Sequence, residues 1–282
     1  MVILTALAFL SGCATLGPFN PPVPPGVDDF ITVVTTLGSA VVPIGREEEC
    51  EIGRSMAANV AGKYGIVRDE QLTRYVSLVG EAIAAKSDRP DLPYHFAVLD
   101  TDIINAFSCP GGYVFVTRGA LKAAGSEAEL AGVLAHEISH VANRDIIKEI
   151  EKQKFFQAPN EVAGTLLHTD PAVLKAVTSF GTGLLFKGLS RSDEYAADRL
   201  SLAYTSRAGY SPAAYLVFLE KLKNESGAPD AGVNLLFATH PQIDDRIKRV
   251  TKELDGTTDQ GRNGRILAER YVEHVRLQAG LR

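Results

Sequence analysis

The run ELAGVLAHEISHVANRD contains His136-Glu137-Ile138-Ser139-His140, two imidazoles four positions apart with a carboxylate beside the first. The chain has only six histidines in 282 residues, so the pairing asks for an explanation. On an α-helix a four-residue step turns about 400°, which leaves the two side chains ~40° apart and one turn along. His136 and His140 then project from one face and can share a cation, while Glu137 lies about 100° round, beside the ion. Metal-assisted hydrolysis needs this set: ligands for an ion that acidifies water, and a carboxylate to take the proton. The competing reading is a helix with two surface histidines. Apolar neighbours on both flanks argue against it, because unpaired imidazoles are costly on a partly buried face.

The motif must therefore sit on a helix, and the sequence supplies one. Ser126 and Glu129 form the S-x-x-E pattern of a capping box. Beyond it, apolar residues recur at Leu130, Val133, Leu134, Ile138 and Val141 with helical spacing. A third ligand comes from SRSDEYAADRL, where Glu194 and Asp198 stand one helical turn apart. Glu194 can bind the ion, and Asp198 can accept the free ring N–H of a ligating histidine, which fixes tautomer and orientation. Alone, such a pair more often forms a solvated face with Arg191 or Arg199; beside H-E-x-x-H the balance reverses.

The remaining pattern predicts helices from Arg46 in REEECEIGRSMAANVAGKYG and in DEQLTRYVSLVGEAIAAKS, and a strand in YHFAVLD. A Pro-Gly-Gly turn, a strand from Tyr113 to Thr117 and a short helix follow. The stretch from about 157 to 190 is weakly helical, and SDEYAADRLSLAYTSRAG strongly so. SPAAYLVFLEKLK places Ser211 as cap and Pro212 at the first helical position, and HPQIDDRIKRVTKEL repeats this with His240 and Pro241. GTTDQGRNG breaks the chain before a last helix, RILAERYVEHVRLQ. The fold expected is one mainly helical α+β domain with a small sheet, the cleft lying between sheet and motif helix.

Taken together, HEISH and SDEYAADRL, with NAFSCPGGYVFVTRG before and THPQIDDR after, resemble the zinc metallopeptidase family of HtpX, the CAAX prenyl endoprotease and the mitochondrial and periplasmic quality-control proteases. The four ordered motifs span roughly residues 46 to 255. The resemblance implies a zincin-like (gluzincin) fold, one Zn2+ on His136, His140 and Glu194, and Glu137 as general base. It gives NAFSCPGGYVFV the role of an edge strand above the site, so Gly112, Tyr113, Val114 and Phe115 would meet an extended substrate. Asn105 would point its amide at substrate, or else simply form a turn. His240 resembles a family histidine near the zinc, as an oxyanion donor or an inhibitory fourth ligand; the plainer reading is a helix cap. Arg246 would pair with Asp198 or another site carboxylate. The family often has histidine where this chain has Asp145. His95, His168 and His274 match nothing and are expected at the surface.

Composition is that of a globular protein, 45% hydrophobic and 22% charged. A net charge of -5 leaves no basic footprint, so nucleic acid is not an expected partner. No apolar run reaches the ~18 residues of a membrane span. MVILTALAFLSGC reads as the h-region of a signal peptide over residues 1–12, although no Lys or Arg precedes Arg46. Its end, Leu10-Ser11-Gly12-Cys13, resembles a bacterial lipobox, and GPFNPPVPPG after it reads as an extended tether over 13–45. Lipid on Cys13 would place the chain in the periplasm, and Ala14 after it favours the outer membrane. Cys50 and Cys109 then remain as a disulfide or as two buried thiols. The peptidase domain is expected over 46–255, and 256–282 as a flexible break with a terminal helix.

The function expected is a zinc endopeptidase that hydrolyses unfolded or misassembled envelope proteins. Two readings compete with it. One is a chaperone-like binding lipoprotein with a structural zinc, although such a site would favour four protein ligands. The other is a metallohydrolase of a different envelope substrate. Iron also accepts two histidines and a carboxylate, but leaves Glu137 without a task.

Overall fold

The computed structural model describes residues 43–157, 171–225, 234–257 and 263–277. The expected signal peptide, Cys13, all but the last three tether residues, and His168 lie outside the described residues. Among those described, α1 (Arg46–Tyr64) and α2 (Glu70–Ala84) lead into β1 (His95–Leu99) and β2 (Ala106–Cys109). A 3₁₀ turn (Pro110–Gly112) joins β2 to β3 (Tyr113–Thr117), which runs into α3 (Arg118–Ala123). Then come α4 (Glu127–Asn143), α5 (Asp145–Gln157), α6 (Pro171–Lys187) and α7 (Arg191–Arg207). The chain continues through α8 (Ala213–Glu225), α9 (Asn234–Thr239), α10 (Ile243–Asp255) and α11 (Ala268–Tyr271), the last extended by a π-helical turn (Val272–Leu277). This is the mainly helical α+β arrangement expected. No single described helix is long and apolar enough to cross a membrane.

The sheet has the order β1-β3-β2, with β1 parallel and β2 antiparallel to β3. Its two faces follow the period of a strand. Phe96, Val98, Ala106, Val114 and Val116 join the core built with α2, α4 and α8. Leu99, Phe107, Cys109 and Phe115 join a second core with α1, α5 and α6. This topology corrects one expectation. Tyr113, Val114 and Phe115 lie on the central strand, bonded on both sides, so their backbone offers no free edge. The edges are β1 and β2, and β2 is the first part of the segment given the edge role; its four residues, all buried, carry no alternation of apolar and polar types.

Between the two cores runs α4, buried at every residue from Glu127 to Val141. A helix apolar all round belongs inside a protein. Its start differs in detail from a capping box. Ser126 accepts the Glu129 N–H at 3.2 Å, but the Glu129 carboxylate turns to the Gly125 N–H and to Lys221. Glu127, fully buried, accepts hydroxyls from Tyr75 and Tyr210 and pairs with Arg270. Burial alone would raise its carboxyl pKa; these partners outweigh burial and hold it below the ordinary value. Tyr271 and Val275 are fully buried in the same core, and the Ala128 N–H donates to Ile266 O. The C-terminal segment is therefore packed onto the start of the motif helix. His274 stacks on Tyr75 at 4.6 Å between ring centroids and is half-buried, whereas His95 is exposed.

Of the two readings of the cysteines, the structure has the free thiols: Cys109 is buried and Cys50 partly so, and burial pushes the Cys109 thiol upward. The side chain of Cys109 faces the second core, among Phe107, Phe115 and Met56.

Close approach of α8 to α4 depends on Gly132. A Cβ there would lie 2.7 Å from Tyr215 Cβ, a position next to backbone that cannot swing aside. Gly132→Val should therefore cost about 1–3 kcal/mol, the usual range for overpacking. Urea unfolding checks it, and an unchanged midpoint would show that α8 gives way freely.

Candidate active site

Three elements meet at the motif. From α4 come His136, Glu137 and His140, from α7 Glu194 and Asp198, and from α10 Arg246. The segment after α9 adds His240. All are buried, none more than 8% exposed. His136 Nε2 and His140 Nε2 stand 3.2 Å apart. Each lies 3.5 Å from a Glu194 oxygen. His240 Nδ1 is 3.4 Å from His136 Nε2 and 3.2 Å from both Glu194 oxygens. Tetrahedral bonds of ~2.0–2.1 Å set ligand atoms about 3.3–3.4 Å apart, so these residues fit a zinc ion among them. The four offer ligand atoms all within 4.8 Å of one another.

The chemistry of the donors makes the same point. His136 Nδ1 faces Asp198 at 3.1 Å, and His140 Nδ1 faces Asp145 at 2.8 Å. Both rings then give their N–H outward and turn their Nε2 lone pairs toward each other and toward a carboxylate. That convergence is unfavourable unless a positive charge lies at its centre. The charges around these groups carry the same demand. Burial opposes charge on His140, yet Asp145 and Glu194 outweigh it and hold its pKa well above the ordinary value. Burial would likewise raise Glu194, but His240, Arg246 and the two ligand histidines hold it well below the carboxylate range.

Arg246 braces this arrangement. Its guanidinium grips Asp198 through Nε at 2.9 Å and Nη2 at 2.7 Å, and Nη1 lies 3.2 Å from Glu194. Tyr215 closes the network, its hydroxyl donating to Asp198 at 2.8 Å and accepting from Arg246 at 2.7 Å. Glu137 stands beside the ligands, as one helical residue's rotation requires. Its Oε1 is 3.6 Å from His240 Nε2, and its Oε2 accepts from Ser108 at 2.8 Å.

His240 is not the cap of the next helix. Its N–H donates to Leu236 O at the end of α9, and α10 starts only at Ile243 behind a left-handed Gln242. Pro241 lies outside that helix, and it ends α9 before His240, because the residue before a proline avoids the helical region. Asn105 spends its side chain on Thr239 and on the Ala106 N–H, tying the start of β2 to the residue before His240. Gly112, Tyr113, Val114 and Phe115 line neither of the two cavities beside Glu137. Two cavities share Ala106, Glu137 and His240. One is lined by Ile104, Val133, Phe218 and Leu222, the other by Phe107, Ile146, Leu184 and Leu189. Sequence reasoning missed Asp145, Ser108, Tyr215 and Thr239 as neighbours of the site; only Asp145 carried a signal, as the polar residue after HVANR.

A buried His–His–Glu set with a carboxylate next to the first histidine, on a helix packed against a small sheet, fits a zincin-like metal site. Residues 70–254 match the profile of Peptidase family M48, and the chain belongs to that family. It is 28% identical over 249 residues to the beta-barrel assembly-enhancing protease of Escherichia coli (strain K12), a match covering 86% of this chain and 50% of that protein. With the protein of the same name from Yersinia pestis it shares 29% over 233 residues, covering 78% and 46%. With the mitochondrial metalloendopeptidase OMA1 of Schizosaccharomyces pombe it shares 33% over 183 residues, covering 64% and 53%. The chain spans about half the length of the curated relatives it matches.

The two outward carboxylates make a testable difference. Asp145→Ala and Asp198→Asn should each weaken zinc binding by roughly 10- to 100-fold, as loss of such partners does elsewhere. Competition with a chromogenic chelator measures this; wild-type affinity in both would remove them from the site.

Proposed function

We propose that the chain is a zinc-dependent endopeptidase that cleaves extended segments of unfolded or misassembled cell-envelope proteins. The observation that carries this is the spacing of His136, His140 and Glu194 around one point, with Glu137 alongside. When bound, the ion would acidify a water and polarise the scissile carbonyl. Glu137 takes the water's proton at Oε1 as the carbon–oxygen bond forms. It later hands that proton to the leaving amine as the carbon–nitrogen bond breaks. β2 has a strand neighbour on one side only, and its outer side would offer backbone groups to an extended polypeptide, whatever its side chains.

His240 holds the corner that a water and a carbonyl would use. We read it as an inhibitory ligand in this closed arrangement and as an oxyanion donor once the corner opens. At matched zinc occupancy, His240→Ala should lower kcat on a quenched peptide by roughly 10²- to 10³-fold. A rise would assign it to inhibition alone, and no change would leave it structural.

Location belongs to the same proposal. The lipobox-like Cys13 and the relatives named for β-barrel assembly favour a lipid-anchored chain facing the periplasm, attached to the outer membrane. A fatty-acid label that Cys13→Ser abolishes would support this, and an unlabelled wild type would exclude it. The reaction itself is tested by Glu137→Gln, which keeps the ligands but cannot accept the proton. It should retain one zinc per chain and lose casein cleavage; cleavage at the wild-type rate would refute the mechanism.

A further inference from the structure

We propose that Ser108 is the positioning residue of the general base: its hydroxyl pins one oxygen of Glu137 so that the other faces the metal site. The inference rests on the peptidase reading above and extends it to a residue on the sheet.

On β2, Ala106 and Ser108 face α4, while Phe107 and Cys109 face the second core. Ser108 pairs across the sheet with Val114, and Ala106 and Val116 flank it on the same face. That face is apolar, and Ser108 is only 5% exposed. A hydroxyl in such a place is costly unless bonded. Its bond goes to Glu137 Oε2 at 2.8 Å, a hydroxyl donating to a buried carboxylate. Bonds of this kind are stronger than neutral ones.

The consequence is a choice of oxygen. A glutamate has three side-chain torsions and two equivalent oxygens, so its carboxylate is free to rotate. With Oε2 taken, Oε1 is the oxygen left on the side of His240, 3.6 Å from its Nε2. A proton accepted from water lands on Oε1, and the Ser108 bond to Oε2 stays in place. The carboxyl therefore keeps its orientation between taking the proton and giving it to the amine. Ser108 touches no reacting atom; it acts through Glu137.

The test uses Ser108→Ala, which deletes the donor, and Ser108→Thr, which keeps it. Ser108→Ala should lower kcat roughly tenfold, a fraction of what a general base contributes. KM should stay within twofold, with one zinc per chain. Ser108→Thr should recover most of the loss. A readout independent of turnover comes from thermal unfolding of the zinc-loaded protein: midpoints of Ser108→Ala, Glu137→Ala and the double variant, at equal zinc occupancy, should be non-additive, because the two side chains bond each other. Wild-type kcat in Ser108→Ala, an equal loss in Ser108→Thr, or additivity in this cycle would each overturn the proposal. The parent reading fails separately, through an active Glu137→Gln; an inactive Glu137→Gln beside a fully active Ser108→Ala sinks only this inference.

Discussion

The structure is organised around two imidazole lone pairs that point at each other. His136 Nε2 and His140 Nε2 lie 3.2 Å apart beside a buried carboxylate, a placement that is stable only with positive charge at its centre. Almost every polar group nearby serves to hold it. Asp198 and Asp145 fix the two rings from behind. Arg246 and Tyr215 then neutralise and orient Asp198, so the network around His136 ends on donors and acceptors that are all used. A buried carboxylate with a bidentate arginine is rigid, and rigidity is what a metal site with few ligands needs.

Packing supplies the rest of that rigidity. The motif helix is enclosed on all sides, so its histidines cannot shift without disturbing a core. The segment after Gly264 returns across the molecule to seal the helix's start through Arg270, Tyr271 and Ile266. On the opposite side, Gly132 lets α8 approach close enough for Tyr215 to reach Asp198. The sheet contributes little area but sets the wall of the site, since β2 carries Ala106 and Ser108 toward Glu137.

Much of this was legible in the sequence because helical spacing is a local property. His136 and His140, Glu194 and Asp198 each pair across one turn, and the family resemblance pointed Arg246 at Asp198 or another site carboxylate; it meets both Asp198 and Glu194. What was hidden depends on tertiary turns. Asp145 reaches back to His140 because Arg144 adopts a left-handed conformation, φ 58, between α4 and α5; no spacing rule announces it. β2 is too short and too buried to show an alternation. His240 looked like the cap of a helix because Pro241 follows it, yet its N–H bonds Leu236 O at the end of α9 and the next helix starts only at Ile243. The terminal segment read as a separate piece because the residues that bury it come from α2 and α4.

The central claim is that the converging donors exist to hold one ion. X-ray absorption at the zinc edge of the resting protein, loaded with one equivalent, tests it most directly. The account predicts a four-coordinate nitrogen and oxygen shell at ~2.0–2.2 Å with imidazole scattering from at least two rings. An all-oxygen six-coordinate shell, or a protein that retains no zinc after desalting, would contradict it.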